Sequence, residues 1–334
     1  MIGEYFLKLI NLLLFVTTLG SVCAQTSANL TASGYSAPSP LQVAPGQVVT
    51  FFFRGIAPLA GVLRNAQSTT VPLPTTLAGI SMRISQNEVA DVPIPIFAVR
   101  QENDCDVAPQ SDAACLLTTV KLQIPYEIEV PPYPAPGAPP VPIPVAPLAR
   151  LAMDVDGVAT RSFTLQPVID NAHVISSCDL DWDTKSTSVC ERQAYHSDGH
   201  PVSTSDPARR GDTVIVYAYG LGKPPASVRT GDATHIVAPL ESQSRRVMAS
   251  FNNFVNTPSS LPRSTYVAPA PASPITFAGL AYGEVGLYQV NVPVPTTFKP
   301  AVPCGAFNGF VVSNATLFIS TSQGVEPIGI CVQP

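Results

Sequence analysis

The chain has 334 residues, a formal net charge of −5 and only 12% charged residues. That balance argues against a nucleic-acid partner, which needs a basic face, and the 46% hydrophobic content argues against a disordered chain. Thirty-six prolines and the lack of long helix-period stretches argue against a helical fold, because proline removes a backbone donor and clashes inside helices.

Met1–Ala24 reads as a secretory signal. Leu9 to Leu19 is largely apolar, and Val22-Cys23-Ala24 sets small residues before a cleavage site after Ala24. The run is short for a bilayer span, and no other stretch is long and apolar enough to cross one. A lipoprotein signal with Cys23 as the first mature residue is the lesser alternative, since Val22 fits it poorly. The mature chain of about 310 residues suffices for two ordinary domains.

Signal removal leaves six cysteines, Cys105, Cys115, Cys178, Cys190, Cys304 and Cys331. An even count in an exported chain implies disulfides, although sequence alone leaves the connectivity open. The expected pairs are Cys105–Cys115, Cys178–Cys190 and Cys304–Cys331, each within one predicted domain. Zinc would need C-x-x-C or Cys/His clusters, which these spacings lack.

An internal repeat organises the chain. Pro45-Gly46-Gln47-Val48-Val49-Thr50-Phe51-Phe52-Phe53-Arg54-Gly55-Ile56 parallels Arg210-Gly211-Asp212-Thr213-Val214-Ile215-Val216-Tyr217-Ala218-Tyr219-Gly220-Leu221. Each is a glycine turn, an apolar strand and a second glycine. Val120-Lys121-Leu122-Gln123-Ile124-Pro125 parallels Tyr288-Gln289-Val290-Asn291-Val292-Pro293, and Leu165-Gln166-Pro167 parallels Val332-Gln333-Pro334. Three blocks in one order at nearly one offset point to a duplication. The expected domains are 30–168 and 169–334. Both read as short strands separated by Gly, Pro, Asn and Asp turns, which predicts an all-β fold of two tandem Ig-like β-sandwich domains.

The repeat also reassigns the proline-rich segment 131–147. Taken alone it looks like an interdomain linker or a polyproline ligand. Aligned with the second copy, it falls opposite Lys299–Ser313, where Phe310 and Val312 match Ile143 and Val145 on an expected strand. Val141, Ile143 and Val145 alternate with prolines, so the segment is read as a proline-blunted edge strand. A partner-binding polyproline stretch is the alternative.

The second copy carries a resemblance. Ala208–Gly222 ends a strand motif in Gly-Leu-Gly. Phe277-Ala278-Gly279-Leu280-Ala281-Tyr282-Gly283-Glu284-Val285-Gly286-Leu287 then runs into the Tyr288–Pro293 block, and Ser313-Asn314 precedes a short strand. On these motifs, over most of residues 190–320, the chain resembles the Solibacter-type uncharacterised C-terminal domain family of exported acidobacterial proteins. The resemblance implies an exported bacterial protein with Ig-like modules, and it brings no known activity. Tyr219 departs from the family pattern, which commonly has Thr there.

Candidate sites are few. Asp179, Asp181 and Asp183 alternate between Cys178 and Cys190 and could converge on Ca²⁺ if the loop curls, but the spacing lacks the Gly and Glu of an EF-hand. The alternative is a solvated acidic loop carrying Trp182. His196 and His200 flank Asp198-Gly199, which reads as a hairpin turn rather than a helical zinc pair. Arg210-Gly211-Asp212 spells an integrin-type tripeptide at a strand start, where the repeat explains it as scaffold. Tyr133, Tyr195, Tyr217, Tyr219, Tyr266, Tyr282 and Trp182 could form a carbohydrate platform, with Trp182 and Tyr133 the loop residues singled out for ligand contact. Tyr217 and Tyr219 share strand parity and hence one face, and core packing is the expected fate of strand tyrosines. No G-x-S-x-G or phosphate loop is present, and no catalytic triad or carboxylate pair can be nominated.

The sequence therefore predicts a secreted or cell-surface, non-enzymatic structural, adhesion or binding module. Its partner would be a cell-surface protein or a polysaccharide. No nucleic acid, no cofactor other than Ca²⁺ at the Asp179 loop, and no membrane span after signal cleavage are expected. A carbohydrate- or calcium-binding module is the first alternative and a secreted hydrolase the second. Loops that differ between the copies are where a specific function is expected.

Overall fold

The computed structural model describes residues 28–33, 41–87, 89–105, 112–131, 146–180, 190–224, 227–236, 238–240, 247–257 and 272–334. The signal segment with Cys23, the proline-rich strand at 141–145, and Tyr133, Asp181, Trp182, Asp183 and Tyr266 lie outside the described residues.

Successive residues of a strand face opposite sides of a sheet, so alternating apolar residues bury one face. In the first half the strands are β1 (Asn29–Ser33), β2 (Leu41–Val43), β3 (Val48–Arg54), β4 (Asn65–Gln67), β5 (Thr76–Leu77) and β6 (Ile80–Gln86). They continue with β7 (Val89–Pro93), β8 (Ile96–Asn103), β9 (Leu116–Gln123), β10 (Ala149–Val155), β11 (Val158–Ala159) and β12 (Phe163–Pro167). One sheet has the order β1-β3-β9-β8-β4. The other has β2-β12-β10-β6-β5, with β11 against β10 and β7 against β6. Phe51, Phe53, Ile84, Leu122 and Leu151 are fully buried between them. Arg64 is buried too, and each nitrogen of its guanidinium donates a hydrogen bond. It donates to the carbonyls of Ala57 and Ala78 and makes a bidentate pair with Asp156 at 3.0 and 2.6 Å. That hydrogen bond holds the Asp156 carboxyl below the usual carboxylate range.

The second half contains β13 (His173–Val174), β14 (Ala194–Tyr195), β15 (Thr213–Tyr219), β16 (Ala238–Pro239) and β17 (Met248–Asn252). After these come β18 (Ala272–Ser273), β19 (Phe277–Leu280), β20 (Tyr288–Pro293), β21 (Ala315–Thr321) and β22 (Gly324–Ile330). Its sheets run β13-β15-β20-β19-β16, with β14 against β15, and β18-β17-β21-β22. They enclose a second core containing Val214, Val216, Ala218, Tyr288, Val290, Leu317 and Ile328. The fold is all-β, and the first sheet of each half has the same strand order.

Hydrogen bonds reveal the register of that correspondence. Gly46 N donates to Ile124 O at 2.9 Å and Ile124 N to Gln47 O at 2.8 Å. In the second half Gly211 N donates to Val294 O at 2.9 Å and Val294 N to Asp212 O at 2.8 Å. The partner of Ile124 is thus Val294, two residues beyond the Val292 that the sequence match selects. A slip of two residues in the opposite direction occurs at the ends. Val168 N donates to Val43 O, and Gln333 N to Ala208 O, so Gln333 stands for Val168 rather than Gln166. A slip of two residues leaves every side chain on its own face, and apolar alternation cannot detect it.

The halves meet across an ordered junction. Tyr126 follows β9 but is buried among core residues of the second half. Leu73 with partly buried Phe97 packs on Ala233 and Val285. Leu73 N donates to Gly231 O at 2.9 Å, Gly231 N to Gln123 Oε1 at 2.7 Å, and Tyr126 N to Thr230 Oγ1 at 3.0 Å. The backbone donors of Leu73, Gly231 and Tyr126 are thus each paired at this junction, as buried donors must be where water is excluded.

Candidate functional site

The sequence match predicts a strand through Phe310 and Val312 within Lys299–Ser313. The structure replaces that strand with a tight loop. Gly305, Phe307, Asn308 and Gly309 have φ of +78°, +58°, +59° and +85°, a left-handed run that no strand can accommodate. The loop closes on itself through Gly305 N to Val311 O at 2.9 Å and Gly309 N to Gly305 O at 3.0 Å. Cys304–Cys331 ties its base to the end of β22, with Cα atoms 5.8 Å apart. Val311 is the buried anchor, so its neighbours Phe310 and Val312 project outward.

A second loop, 253–257, is stitched to the first by one side chain. Asn256 Nδ2 donates to Phe310 O at 2.8 Å, and Val312 N donates to Asn256 Oδ1 at 2.9 Å. Asn256 N donates to Ser313 O at 2.9 Å. Phe254 packs edge-on against Phe318 of β21 at 6.2 Å. The two loops together expose Phe307 (73%), Phe310 (76%), Val312 (60%), Phe254 (47%) and Val255 (40%). Residues 249–262 and 300–325 contain no charged side chain. Large apolar side chains grouped on rigid, uncharged loops mark interaction surfaces, unlike apolar residues scattered singly. A phenylalanine held in the left-handed region costs about 1–2 kcal/mol, strain of the kind that gathers at functional loops.

Among the residues singled out from sequence, Asp179 has a structural part. Its Oδ2 accepts from Ser176 N at 2.7 Å and Ser176 Oγ at 2.6 Å, and His173 Nε2 lies 2.8 Å away. Burial pushes the carboxyl up, but the bonds from His173 and Ser176 outweigh it and hold it well below the usual range. Ser176 Oγ bonds the carboxylate and not an imidazole, so the cluster has the order of a clasp rather than of a nucleophilic triad. Among the described residues no group of three or more His, Cys, Asp or Glu could hold a metal ion.

The Cys105–Cys115 disulfide is formed, with Cα atoms 5.2 Å apart. Cys190 is disulfide-bonded, while the Cys178 side chain lies outside the described residues. His196 and His200 flank a hairpin turn, with His196 N donating to His200 O at 2.8 Å and Gly199 at φ +90°. Arg210-Gly211-Asp212 forms the turn into β15, closed by Asp212 N to Arg209 O at 3.0 Å.

Tyr217 and Tyr219 do share a face, but it is the one turned away from the core, since Val214, Val216 and Ala218 point inward. Tyr219 is covered by Lys121, whose Nζ lies 5.6 Å from the ring centroid. Burial raises the Tyr219 hydroxyl and lowers the Lys121 ammonium from their ordinary values. Tyr282 is exposed and stands on a turn.

No protein-family model matches the chain, and no curated protein matches it in sequence. Among solved structures, the Yersinia pseudotuberculosis adhesin InvE is similar to it over 94% of the chain, at 13% identity and a TM-score of 0.21. The chain spans 62% of that structure's length. A likeness at that level carries no information about ligand or role. No helix among the described residues is long and apolar enough to cross a membrane.

Proposed function

We propose that the chain is an exported, non-enzymatic binding module of two duplicated Ig-like sandwiches, which engages a cell-surface protein through the apolar loops of its second half. The observation that carries this reading is the grouping of Phe254, Val255, Phe307, Phe310 and Val312 on two loops fastened by Asn256 and the Cys304–Cys331 disulfide. Phenylalanine and valine offer area without hydrogen-bonding groups, which suits an apolar groove on a protein better than a hydroxyl-rich ligand. The disulfides fit an oxidising, extracytoplasmic compartment.

Site-specific photocrosslinking tests it. Phe310→p-benzoyl-phenylalanine, irradiated on intact producing cells, should yield an adduct of one defined mass. The same group at the exposed turn residue Asp198 should not. Equal adducts from both positions, or none from position 310, would remove the basis for the assignment.

A further inference from the structure

A sheet face turned to solvent ordinarily carries charge. In the first half it does: the residues of β3, β8 and β9 facing away from the buried Phe51, Phe53, Val99 and Val120 include Arg54, Arg100 and Glu102. The corresponding face of the second half is different. There Tyr195, Ile215, Tyr217, Phe277, Gln289 and Asn291 point outward, all partly exposed and none charged. Register groups them into one strip. Tyr217 stands opposite Gln289, Asn291 lies between Ile215 and Phe277, and Tyr195 stands opposite Ile215. The strip crosses four neighbouring strands, about 14 Å at the usual strand spacing.

Its chemistry is specific. The Tyr195 and Tyr217 rings pack edge to face at 5.6 Å. Tyr195 Oη donates to Gln193 Oε1 at 2.6 Å, and Gln289 Nε2 donates to Asn291 Oδ1 at 2.7 Å, so rings and amides are held in set orientations. A sugar ring presents an apolar C–H face and a rim of hydroxyls. Aromatic rings match the first, and neutral amides, which both donate and accept, match the second. An anionic chain would call for Arg or Lys forks, which this strip lacks.

We propose that this face binds a neutral polysaccharide chain, with Tyr195 and Tyr217 as the stacking platform and Gln289 and Asn291 bonding sugar hydroxyls. The site is separate from the apolar loops and does not depend on their role.

Native affinity electrophoresis of the full chain tests the proposal, with hydroxyethylcellulose, galactomannan or dextran in the gel and alginate as the anionic comparison. At least one neutral polymer should retard the protein and alginate should not. Tyr217→Ala and Gln289→Ala should each weaken retardation by about tenfold, the scale of a lost contact hot spot, with melting temperature unchanged. Phe310→Ser should be retarded like the wild type. The proposal is overturned if none of the three neutral polymers retards the protein, if alginate retards it more strongly, or if retardation survives both strip variants. Loss in Phe310→Ser with the strip variants unaffected would also overturn it.

Discussion

The ring of Tyr126 occupies the space that a side chain on Gly46 would need: a Cβ there would stand 1.9 Å from the Tyr126 ring. Gly46 turns the chain into β3 of the first sandwich, and Tyr126 is seated in the core of the second. One glycine thus serves both a local turn and the contact between halves. The hydroxyl of Tyr126 is raised by burial and sits beside Gln123 and Tyr288, while Tyr288 Oη donates to the carbonyl of Gly222. The junction is therefore continuous with the second core.

Gly46 and Gly211 occupy corresponding turns, yet their substitutions should differ. Both have positive φ, so alanine at either costs about 1–2 kcal/mol in backbone strain. At Gly211 the nearest atom to a new Cβ is 3.8 Å away, an ordinary contact. At Gly46 the Tyr126 ring must move, which adds about 1–3 kcal/mol of overpacking. Urea denaturation should rank Gly46→Ala well below Gly211→Ala. Equal midpoints would show that the ring is not held in place.

Arg192 and Glu326 form a buried ion pair, Nε to Oε2 at 2.6 Å, with both side chains almost fully covered. Removing one partner strands a charge in low dielectric. Glu326→Gln or Arg192→Met should each cost about 3–5 kcal/mol. The double variant Arg192→Met/Glu326→Leu should recover most of that loss, because neither residue then carries an uncompensated charge. Additive losses in denaturant titrations would contradict this.

Asp179 gives a pH signature. Its folded-state carboxyl lies below its ordinary value, so its stabilising contribution is complete above the unfolded carboxylate pKa of about 3.9. The contribution is lost as pH falls from there through the folded value. Asp179→Asn lacks it at every pH. The gap in melting temperature between wild type and Asp179→Asn should therefore narrow below about pH 4. A gap that widens on acidification would mean that His173 and Ser176 do not stabilise the ionised form.

Phe307 sets stability against surface. Phe307→Gly should relieve the left-handed strain, offset in part by the freedom glycine adds to the unfolded chain, for a net gain of about 1 kcal/mol. The same change removes one of the two most exposed aromatic rings of the loop. Thermal unfolding should shift upward while photocrosslinking from position 310 declines. A fall in stability would show that the loop packs Phe307 more tightly than its exposure indicates.

Much of the fold is legible in the sequence, and the reason is period. Alternation along Thr213–Tyr219 and Tyr288–Pro293 marks strands because burial on one side of a sheet demands it. Gly46 and Gly211 were readable as turns because few other residues adopt positive φ cheaply. The same period hid what remained. A two-residue slip preserves every apolar match, so only hydrogen bonds could pair Ile124 with Val294. Parity placed Tyr217 and Tyr219 together but could not say which side the core would take. The loops were least legible. Phe310 and Val312 alternate like strand residues. Their exposure follows from a left-handed run at Phe307–Gly309, and from the Asn256 bonds that hold its neighbour loop against it. The sequence by itself determined the strand content, the turns and the repeated motif, all of which depend on neighbours a few residues apart. Tertiary structure alone decided the register, the outward faces and the apolar loop surface, because these depend on contacts between segments far apart in the chain.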